Sequence, residues 1–500
     1  MPGAIYAGLA FLLGMALRLL PRMLVPTILS QDAYFHLAMI RTVRSQGWRA
    51  ARRQMVGYPL GFHVILSRMP RRLLRVFERV NGIVWDLLQT ALFVATVRYV
   101  GSATTSVNVI LGALLIFIAP AWLYVGLGPR AHHLTERVFG ELAVSVVMCA
   151  LWFYSTSGNA WWIGGALVAG AILLNASKFS AQVLFLFCAV LVLVRRDPVF
   201  VIVPLGAVAL GVLLSGGTYW VILREQARHL AWYRIAVREG TVPVAHRNSL
   251  VRAYQLWREG GSNAAGRYIL LHHSLIIGVL QHPALVIVAA WALRYGTMAV
   301  PSYPMQWLLA AILCWIATSA RFGLFLGEAE RYLIHAVIPE YFLFVMFVLP
   351  VWPAAGWCLL AYSVLWLFAQ VYLLKRLESA EDLREPARRE LVAFLRTLRR
   401  MRFATFGAGV MWDLAYETDH EHFLLSSSKH IDWKDLFSTY PFTRWAGMAT
   451  QECELLVLEH AGVERARVAG VVLDYPIASS VLLFENVGYM VYRLPASQTC

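Results

Sequence analysis

The 500-residue chain is 59% hydrophobic and only 15% charged, with a mean hydropathy of +0.59 and a formal net charge of +15. Soluble domains carry about 25% charged residues, so the composition excludes a soluble protein and indicates a multi-pass membrane protein. Arginine supplies nearly all of the positive charge, which suits anionic lipid headgroups and phosphate-bearing lipids. The basic residues are interleaved with apolar segments, which argues against a nucleic-acid partner.

Apolar runs of roughly 17–25 residues are long enough to cross a bilayer as helices. They predict a polytopic α-helical protein with a bundle of about eleven transmembrane helices. The candidate spans are 4–20, 82–99, 106–126, 138–155, 160–175, 180–194, 198–216, 268–293, 305–320, 332–350 and 356–374.

Alternate crossings make one face of the bundle much more elaborate than the other. This elaborated face receives two large loops, a first at 21–81 and a second at 217–267, together with 127–137, 176–179, 321–331 and the C-terminal tail. The opposite face has only short turns. A transporter more often divides its polar groups between midplane positions in both halves of the bundle.

The first large loop carries two groups of polar side chains. Asp32 and His36 are four residues apart, so a helix would place the carboxylate and the imidazole on one face. An acidic residue at a membrane edge is costly in hydrocarbon and indicates a functional site, although a helix cap or a headgroup contact is the alternative. Further on, residues 57–63 predict a turn that presents Tyr58 and His63.

Two more motifs open predicted spans from the elaborated face. Thr135 is predicted to cap the helix that follows it, which places Glu136 in the first turn. Arg331 and His335 are four residues apart and flank Tyr332. The Arg331 guanidinium suits bidentate binding of phosphate oxygens. For both motifs, the one at Glu136 and the one at Arg331, an interfacial ion pair is the alternative.

The composition changes after the last apolar run. Residues 376–402 predict a charged amphipathic linker helix, and residues 403–500 predict a small soluble α/β domain on the elaborated face. Strands are expected at 468–474, 481–484 and 488–493, where β-branched and aromatic residues cluster. Residues 1–375 form the predicted transmembrane domain. The tail is open to several roles, since it can bind an acceptor, a partner protein or a glycan, or only brace the loops.

These motifs, in this order, resemble the GT-C superfamily of integral-membrane glycosyltransferases, which use polyprenyl-phosphate-linked sugars. The resemblance covers about residues 1–375 and implies a GT-C-like bundle. The matching motifs are Asp32-x-x-x-His36 after the first span, Tyr58-Pro59-Leu60-Gly61, Thr135-Glu136, and Arg331-Tyr332-Leu333 with the downstream Pro339.

By this resemblance the protein is a glycosyltransferase that moves a sugar from a polyprenyl-(pyro)phosphate donor to a glycan, lipid or protein acceptor. Asp32 would be the catalytic base and Glu136 an accessory acid, and the two are also candidate ligands of Mg²⁺ or Mn²⁺. The resemblance also implies contacts to the donor phosphate from Arg331, Tyr332 and His335. It implies contacts to the substrate from His36, Tyr58 and His63.

Two other functions stay open. Residues 411–414 resemble part of the Trp-Trp-Asp motif of oligosaccharyltransferase catalytic subunits, but Met411 stands where that motif has its first Trp. An oligosaccharyltransferase would transfer a lipid-linked glycan to protein asparagine. A lipid-linked glycan flippase or transporter is the remaining alternative, and it predicts polar residues deep inside spans.

The membrane orientation has two conflicting indications. The elaborated face is rich in arginine, and the positive-inside rule would place it in the cytoplasm. The family resemblance implies an extracytoplasmic active face, in the plasma membrane of a prokaryote. We follow the resemblance, because long loops obey the rule weakly. The sugar, the acceptor and the stereochemistry are not indicated by the sequence.

Overall fold

The structure is a computed structural model that describes residues 2–27, 30–54, 57–101, 105–124, 130, 133–239, 243–296, 302–406, 411–422, 453–468 and 479–495. The chain divides into two compact units. Unit 1 comprises Met1–Pro26, Arg75–Trp220 and Tyr233–Leu374, and unit 2 comprises Thr27–Leu74, Val221–Trp232 and Lys375–Cys500. The predicted domain boundaries at 375 and 403 stay a prediction based on composition.

Helices account for most of the described chain. The first half contains α1 (Pro2–Leu24), α2 (Gln31–Gln46), α3 (Trp48–Gln54), α4 (Gly61–Ser67), α5 (Arg71–Val100), α6 (Ser106–Phe117), α7 (Pro120–Leu123), α8 (Arg137–Ser157), α9 (Trp161–Ala176), α10 (Lys178–Arg195), α11 (Val199–Leu214) and α12 (Thr218–Glu239). The second half contains α13 (Leu250–His272), α14 (Ser274–Gln281), α15 (Pro283–Tyr295), α16 (Ser302–Ser319), α17 (Glu330–Ile334), α18 (Val337–Leu343), a π-helical turn at Phe344–Val348, α19 (Pro353–Asp382), α20 (Glu385–Thr397), α21 (Trp412–Glu417) and α22 (His460–Val468).

Each of the eleven predicted spans contains helix within the described residues, and the protein is a multi-pass membrane protein. Within the described residues, six helices are long and apolar enough to cross a membrane, or seven if the bent pair α14–α15 is one span. Of the others, 160–175 and 198–216 lie on shorter apolar helices, 332–350 is interrupted, and 305–320 lies on the 18-residue α16, which is long enough but is not among the six. The count of about eleven therefore includes segments that a criterion of helix length and composition does not accept.

Two predicted spans are broken. The run 268–293 is divided at His282, where α14 and α15 meet at an angle of 83°. Pro283 begins α15, and a proline is favoured in the first turn of a helix, where its missing N–H costs no intrahelical hydrogen bond. The run 332–350 contains α17, α18 and the π-helical turn instead of one continuous helix.

The core of unit 1 is built by the apolar faces of α5 to α11 and α14 to α19. Large aromatic side chains fill it, among them Trp122, Trp152 and Trp307, all of which are almost fully buried. Trp152 stacks on Tyr303 and meets Phe342 edge-on, with ring centroids 5.9 Å and 4.6 Å apart. These contacts tie the early helices of the unit to the late ones.

In the described part of unit 2, five strands form a mixed sheet with the order β2-β1-β3-β5-β4. The strands are β1 (Arg402–Phe406), β2 (Glu421–His422), β3 (Leu455–Glu459), β4 (Val481–Glu485) and β5 (Tyr489–Arg493). Strand β1 is parallel to β2 and β3, and β5 is antiparallel to β3 and β4. The small C-terminal α/β region is thus confirmed.

One expected strand differs from the structure. The last residue of α22 is Val468, which was predicted to begin a strand, and 469–474 lie outside the described residues.

The sheet shares its core with the first large loop. Ala38, Met39 and Val43 of α2 belong to the same apolar cluster as Leu391 of α20 and Phe403 of β1.

Candidate active site

Asp32 lies in the first turn of α2 in unit 2. Ser30 precedes the helix in an extended conformation, and its carbonyl oxygen accepts the backbone N–H groups of Ala33 and Tyr34. A carboxylate is favourable here, because the N-terminus of a helix carries partial positive charge. The Asp32 side chain is half-buried. Asp32 is therefore placed where its charge stabilises the helix.

His36, Tyr58 and His63 are brought together in unit 2. The Nδ1 atom of His36 is 2.9 Å from Nε2 of His63, and both imidazoles are buried. The Tyr58 ring lies 5.8 Å from that of His63. Gly57 has a positive φ of 88°, as the predicted turn before Tyr58 requires. The family resemblance implied these three side chains as one set of substrate contacts, although 27 residues separate the two histidines.

Glu136 occupies the N-cap position of α8 in unit 1 and is buried. Thr135 had been expected at that position. Its hydroxyl nevertheless accepts the backbone N–H of Arg137 at 3.3 Å, and donates to the Glu136 carboxylate at 3.4 Å. The threonine therefore supplies the capping bond while the glutamate occupies the cap.

The segment that leads to Glu136 is attached to α5 by buried ion pairs. Arg130 pairs with Asp86 of α5 and with Glu141 of α8, and Arg18 of α1 pairs with the same Asp86. All four side chains are at least nine-tenths buried. Asp86 thus lies between two guanidinium groups.

A second set of contacts lies one to two turns earlier on α5. His133 pairs with Glu78, and Arg22 bonds the same imidazole at 3.0 Å. Asn81 donates from its side-chain amide to the carbonyl oxygen of Thr135 at 3.0 Å. Together with Arg130, these bonds hold the residues before Glu136 against α5.

Arg331 lies in α17 in unit 1 among other charged groups. It pairs with Glu328 and lies over the ring of Phe179, 5.6 Å from its centroid. Arg247 pairs with Glu330 and is 3.6 Å from the same Glu328 carboxylate. Two guanidinium groups therefore converge on one carboxylate. Arg247 belongs to the second large loop and was not among the predicted site residues.

Tyr332 and His335 are buried beside Arg331. The Tyr332 hydroxyl donates to the carbonyl oxygen of Leu326 at 3.0 Å and is also bonded by the side chain of Gln182. The His335 ring bonds the carbonyl oxygen of Arg331 through Nδ1 at 3.0 Å and lies 3.4 Å from the hydroxyl of Ser180 through Nε2. These bonds attach α17 to α10.

The predicted site residues fall in both units. Asp32, His36, Tyr58 and His63 are in unit 2, and Glu136, Arg331, Tyr332 and His335 are in unit 1. Across the described ranges, no group of three or more His, Cys, Asp or Glu side chains has the arrangement of a metal site. The assignment of Mg²⁺ or Mn²⁺ to Asp32 and Glu136 stays a prediction.

Comparison with known proteins identifies the fold. No protein-family model and no curated protein sequence matches the chain. Among solved structures, it is similar to ArnT from Cupriavidus metallidurans, which was crystallised with undecaprenyl phosphate. The alignment covers 97% of each chain, with a TM-score of 0.53 and 10% sequence identity.

The fold and its apolar helices are those of a multi-pass integral membrane protein. Within that class the chain has the GT-C fold, as the sequence motifs predicted.

Proposed function

We propose that the protein is a membrane glycosyltransferase that transfers a sugar from a polyprenyl-(pyro)phosphate donor to an acceptor at the extracytoplasmic face. The observation that carries the proposal is the likeness to ArnT over 97% of both chains, in a structure that holds undecaprenyl phosphate. A fold can support several chemistries, so the motifs of this chain provide the second support. The acceptor class, whether glycan, lipid or protein, is left open.

Asp32 is the proposed general base. In the reaction, the acceptor oxygen forms a bond to the anomeric carbon of the sugar while the bond from that carbon to the phosphate oxygen breaks. The acceptor proton passes to the Asp32 carboxylate, and the polyprenyl phosphate leaves with the electron pair. Asp32 is half-buried in the first turn of α2, and a positioned carboxylate is a group that can accept this proton.

Arg331 and Arg247 are proposed to hold the donor phosphate. Both guanidinium groups lie at the Glu328 carboxylate. A phosphate offers the same negative charge and similar oxygen geometry, so it can replace Glu328 between them. Charge that develops on the leaving phosphate would then be stabilised. Tyr332 and His335 form the remainder of this phosphate end and hold the α17 backbone in place.

Glu136 is the proposed accessory carboxylate. The bonds from α5 to the preceding segment fix its backbone, which suits a group that orients an acceptor. Mg²⁺ or Mn²⁺, if bound by Asp32 and Glu136, would supply a Lewis acid for the phosphate oxygens.

Oligosaccharyltransferase activity has less support from unit 2. The resemblance rested on Trp412 and Asp413, and the Asp413 side chain is only 2% exposed. Trp412 packs between Phe35 and His422, with ring centroids 4.9 Å and 5.2 Å away. A buried Asp413 does not favour a peptide-binding role for this pair.

Lipid-linked glycan transport is the second candidate, favoured by one observation. His282 and Glu340 form a buried pair, 2.6 Å apart, at the bend between α14 and α15. Ionisable pairs at broken helices are typical of transport proteins. Transport would move a labelled lipid across a bilayer without transferring its sugar, which separates it from the leading proposal.

The first experiment measures transfer by the purified protein in detergent. Radiolabelled polyprenyl-phosphate sugars are offered one at a time with membrane extract as acceptor. We expect the wild type to transfer label and Asp32→Asn to lose about 10²-fold or more in turnover, because the amide cannot accept the proton. Asp382→Asn, an exposed aspartate in unit 2, is the matched control. Full activity of Asp32→Asn would remove Asp32 as the base.

A further inference from the structure

The short helix α21 is capped at both ends by side chains of α2. At its first residue, the backbone N–H of Trp412 donates to the side-chain oxygen of Gln31 at 2.9 Å. At its last turn, the Arg41 guanidinium donates to the carbonyl oxygens of Ala415, Tyr416 and Thr418 at 2.6–3.0 Å. These are groups that a helix leaves without intrahelical partners.

Six residues are too few for a helix to be stable by itself. Helix α21 is therefore stabilised by its neighbours, and α2 is one of them. The Phe35 ring meets that of Trp412 at 4.9 Å, and the Tyr34 ring lies 6.0 Å from that of Tyr416. Side chains of α2 thus bond both ends of α21 and pack along its length.

The other side of α21 is attached to α20. Arg388 of α20 bonds Glu417 at 2.9 Å and lies 3.4 Å from Asp413, and it also pairs with Glu385 in its own helix. The C-terminal part of the chain thus forms a support made of α20 and α21, and α2 lies on that support.

We propose that α21 positions Asp32, with Gln31 and Arg41 as the positioning residues. The proposal rests on the assignment of Asp32 as the base. Gln31 is the neighbour of Asp32 in the first turn of α2, where a helix frays most readily. Arg41 fixes the rotation of the same helix ten residues later. A shift of about 1 Å at a reacting group can cost a hundredfold in rate, so a base in a first turn benefits from such a support.

The chain offers a matched pair of variants on one helix. Arg44, three residues after Arg41, also donates to two carbonyl oxygens, those of Ser67 at 3.1 Å and Met69 at 2.6 Å. Both arginines hold α2 to a neighbouring segment, but only Arg41 holds it to α21. Arg41→Ala should reduce kcat about tenfold to a hundredfold with little change in the KM for the donor. Arg44→Ala should have a much smaller effect.

Two further variants separate positioning from loss of structure. In an Asp32→Asn background, Arg41→Ala should cause no additional loss, because the base through which it acts is absent. Arg41→Lys should restore part of the rate, since an ammonium group can still donate to these carbonyl oxygens. An equal loss of kcat in Arg41→Ala and Arg44→Ala would overturn the proposal, and so would a full additional loss in the Asp32→Asn background.

Hydrogen–deuterium exchange on the full-length protein tests the same contacts without an activity assay. Arg41→Ala should increase exchange in residues 31–40 and 412–418, whereas Arg44→Ala should leave both segments as in the wild type. Unchanged exchange in Arg41→Ala would overturn the proposal even if Asp32 proves to be the base. Increased exchange with Asp32→Asn fully active would instead show that the support exists but that the proposed base is wrong.

Discussion

Asp413 is buried beside Arg388 in unit 2, and burial raises the pKa of its carboxyl group to about 7, although the Arg388 charge opposes that shift. An aspartate in an unfolded chain ionises near pH 4. Between about pH 4 and 7 the folded protein therefore holds a proton that the unfolded chain has released. The free energy of unfolding falls as pH rises through this window, by about 1.4 kcal/mol per unit from this group.

Asp413→Asn should remove this pH dependence. The amide oxygen can still accept the backbone N–H of Leu414, which the carboxylate accepts at 2.9 Å, and Arg388 keeps Glu385 and Glu417 as partners. The variant should unfold near the wild-type temperature at pH 5 and at a higher temperature at pH 8. Thermal unfolding in detergent at both pH values measures the difference.

The exposed Asp382→Asn serves as the control for that measurement, and it should track the wild type at both pH values. A constant difference between Asp413→Asn and the wild type across the range would mean that Asp413 is ionised in the folded protein throughout.

Arg18 and Arg22 mark the limit of residue-scale prediction. In the sequence they are basic residues at the end of an apolar run, where they indicate membrane orientation. In the structure both are buried, one paired with Asp86 and the other with Glu78 and His133. Their partners are about 55 to 110 residues away, and no local pattern in a single sequence identifies such pairs.

At the scale of elements, α5 and the segment before α8 approach very closely at Gly82. A Cβ atom at that position would lie 2.2 Å from the carbonyl oxygen of Arg130. Real Cβ atoms do not come that near a backbone oxygen, so only glycine permits the contact. The same segment continues to Glu136. The position of this proposed catalytic carboxylate therefore depends on the packing contact at Gly82 of α5.

Gly82→Ala should therefore displace the segment before Glu136. We expect a lower thermal unfolding temperature and a lower rate of sugar transfer, because the backbone has to shift to relieve the contact. Thermal unfolding and the transfer assay on the same preparation measure both effects.

Gly164→Ala is the matched control, since a Cβ atom on that helical glycine meets nothing within 4 Å. It should be neutral or stabilising by about 0.5–1 kcal/mol, because alanine has the higher helix propensity. Wild-type stability and transfer in Gly82→Ala would show that the segment accommodates the methyl group without consequence.

The apolar runs predicted the helices well but did not reveal where helices break. Hydrophobicity averaged over a window is high on both sides of His282, so 268–293 appeared as one span. Pro283 was the available signal, because the residue before a proline disfavours helix. The capping of α15 by Glu340, whose carboxylate accepts the Leu285 N–H at 2.9 Å, depends on tertiary contacts. The sequence alone therefore predicts that a helix forms here, but not that it bends.

The candidate site was predicted in its parts. The spacing of Asp32 and His36 and the turn at residues 57–63 predicted two groups in the first large loop, and the family resemblance joined His36, Tyr58 and His63 as substrate contacts. The sequence did not predict that Arg247 and Arg331 converge on Glu328. Arg247 lies 81 residues before Glu328 and 84 before Arg331, which is too far for a local pattern to relate them.

At the scale of the whole molecule, the buried charges change the argument about orientation. The positive-inside rule counts basic residues in short loops more strongly than in long ones. Arg18 and Arg22 are paired in the interior of unit 1, so they no longer count as loop charges. The short turns on the opposite side carry exposed arginines, including Arg98, Arg196 and Arg294. Weighted in this way, the rule favours a cytoplasmic location for the short turns.

The elaborated face should accordingly be extracytoplasmic, and cysteine labelling can measure this. Gln255 of α13, in the second large loop, and Ala160, in the turn between α8 and α9, are both exposed and are predicted to lie on opposite sides. In a cysteine-free background, Gln255→Cys should react with a membrane-impermeant maleimide in intact cells. Ala160→Cys should react only after the membrane is opened.

The opened-cell sample is the control for reactivity, because both cysteines must label there for the comparison to hold. Labelling of Ala160→Cys alone in intact cells would place the elaborated face in the cytoplasm. The proposed donor would then have to be used on the cytoplasmic leaflet, and the exposed arginines of the first large loop would have the role that the positive-inside rule gives them. Labelling of both cysteines in intact cells would place residues 160 and 255 on the same side of the membrane. One or all three of the predicted spans between them would then not cross the membrane. The short apolar helices α9 and α11 are the candidates.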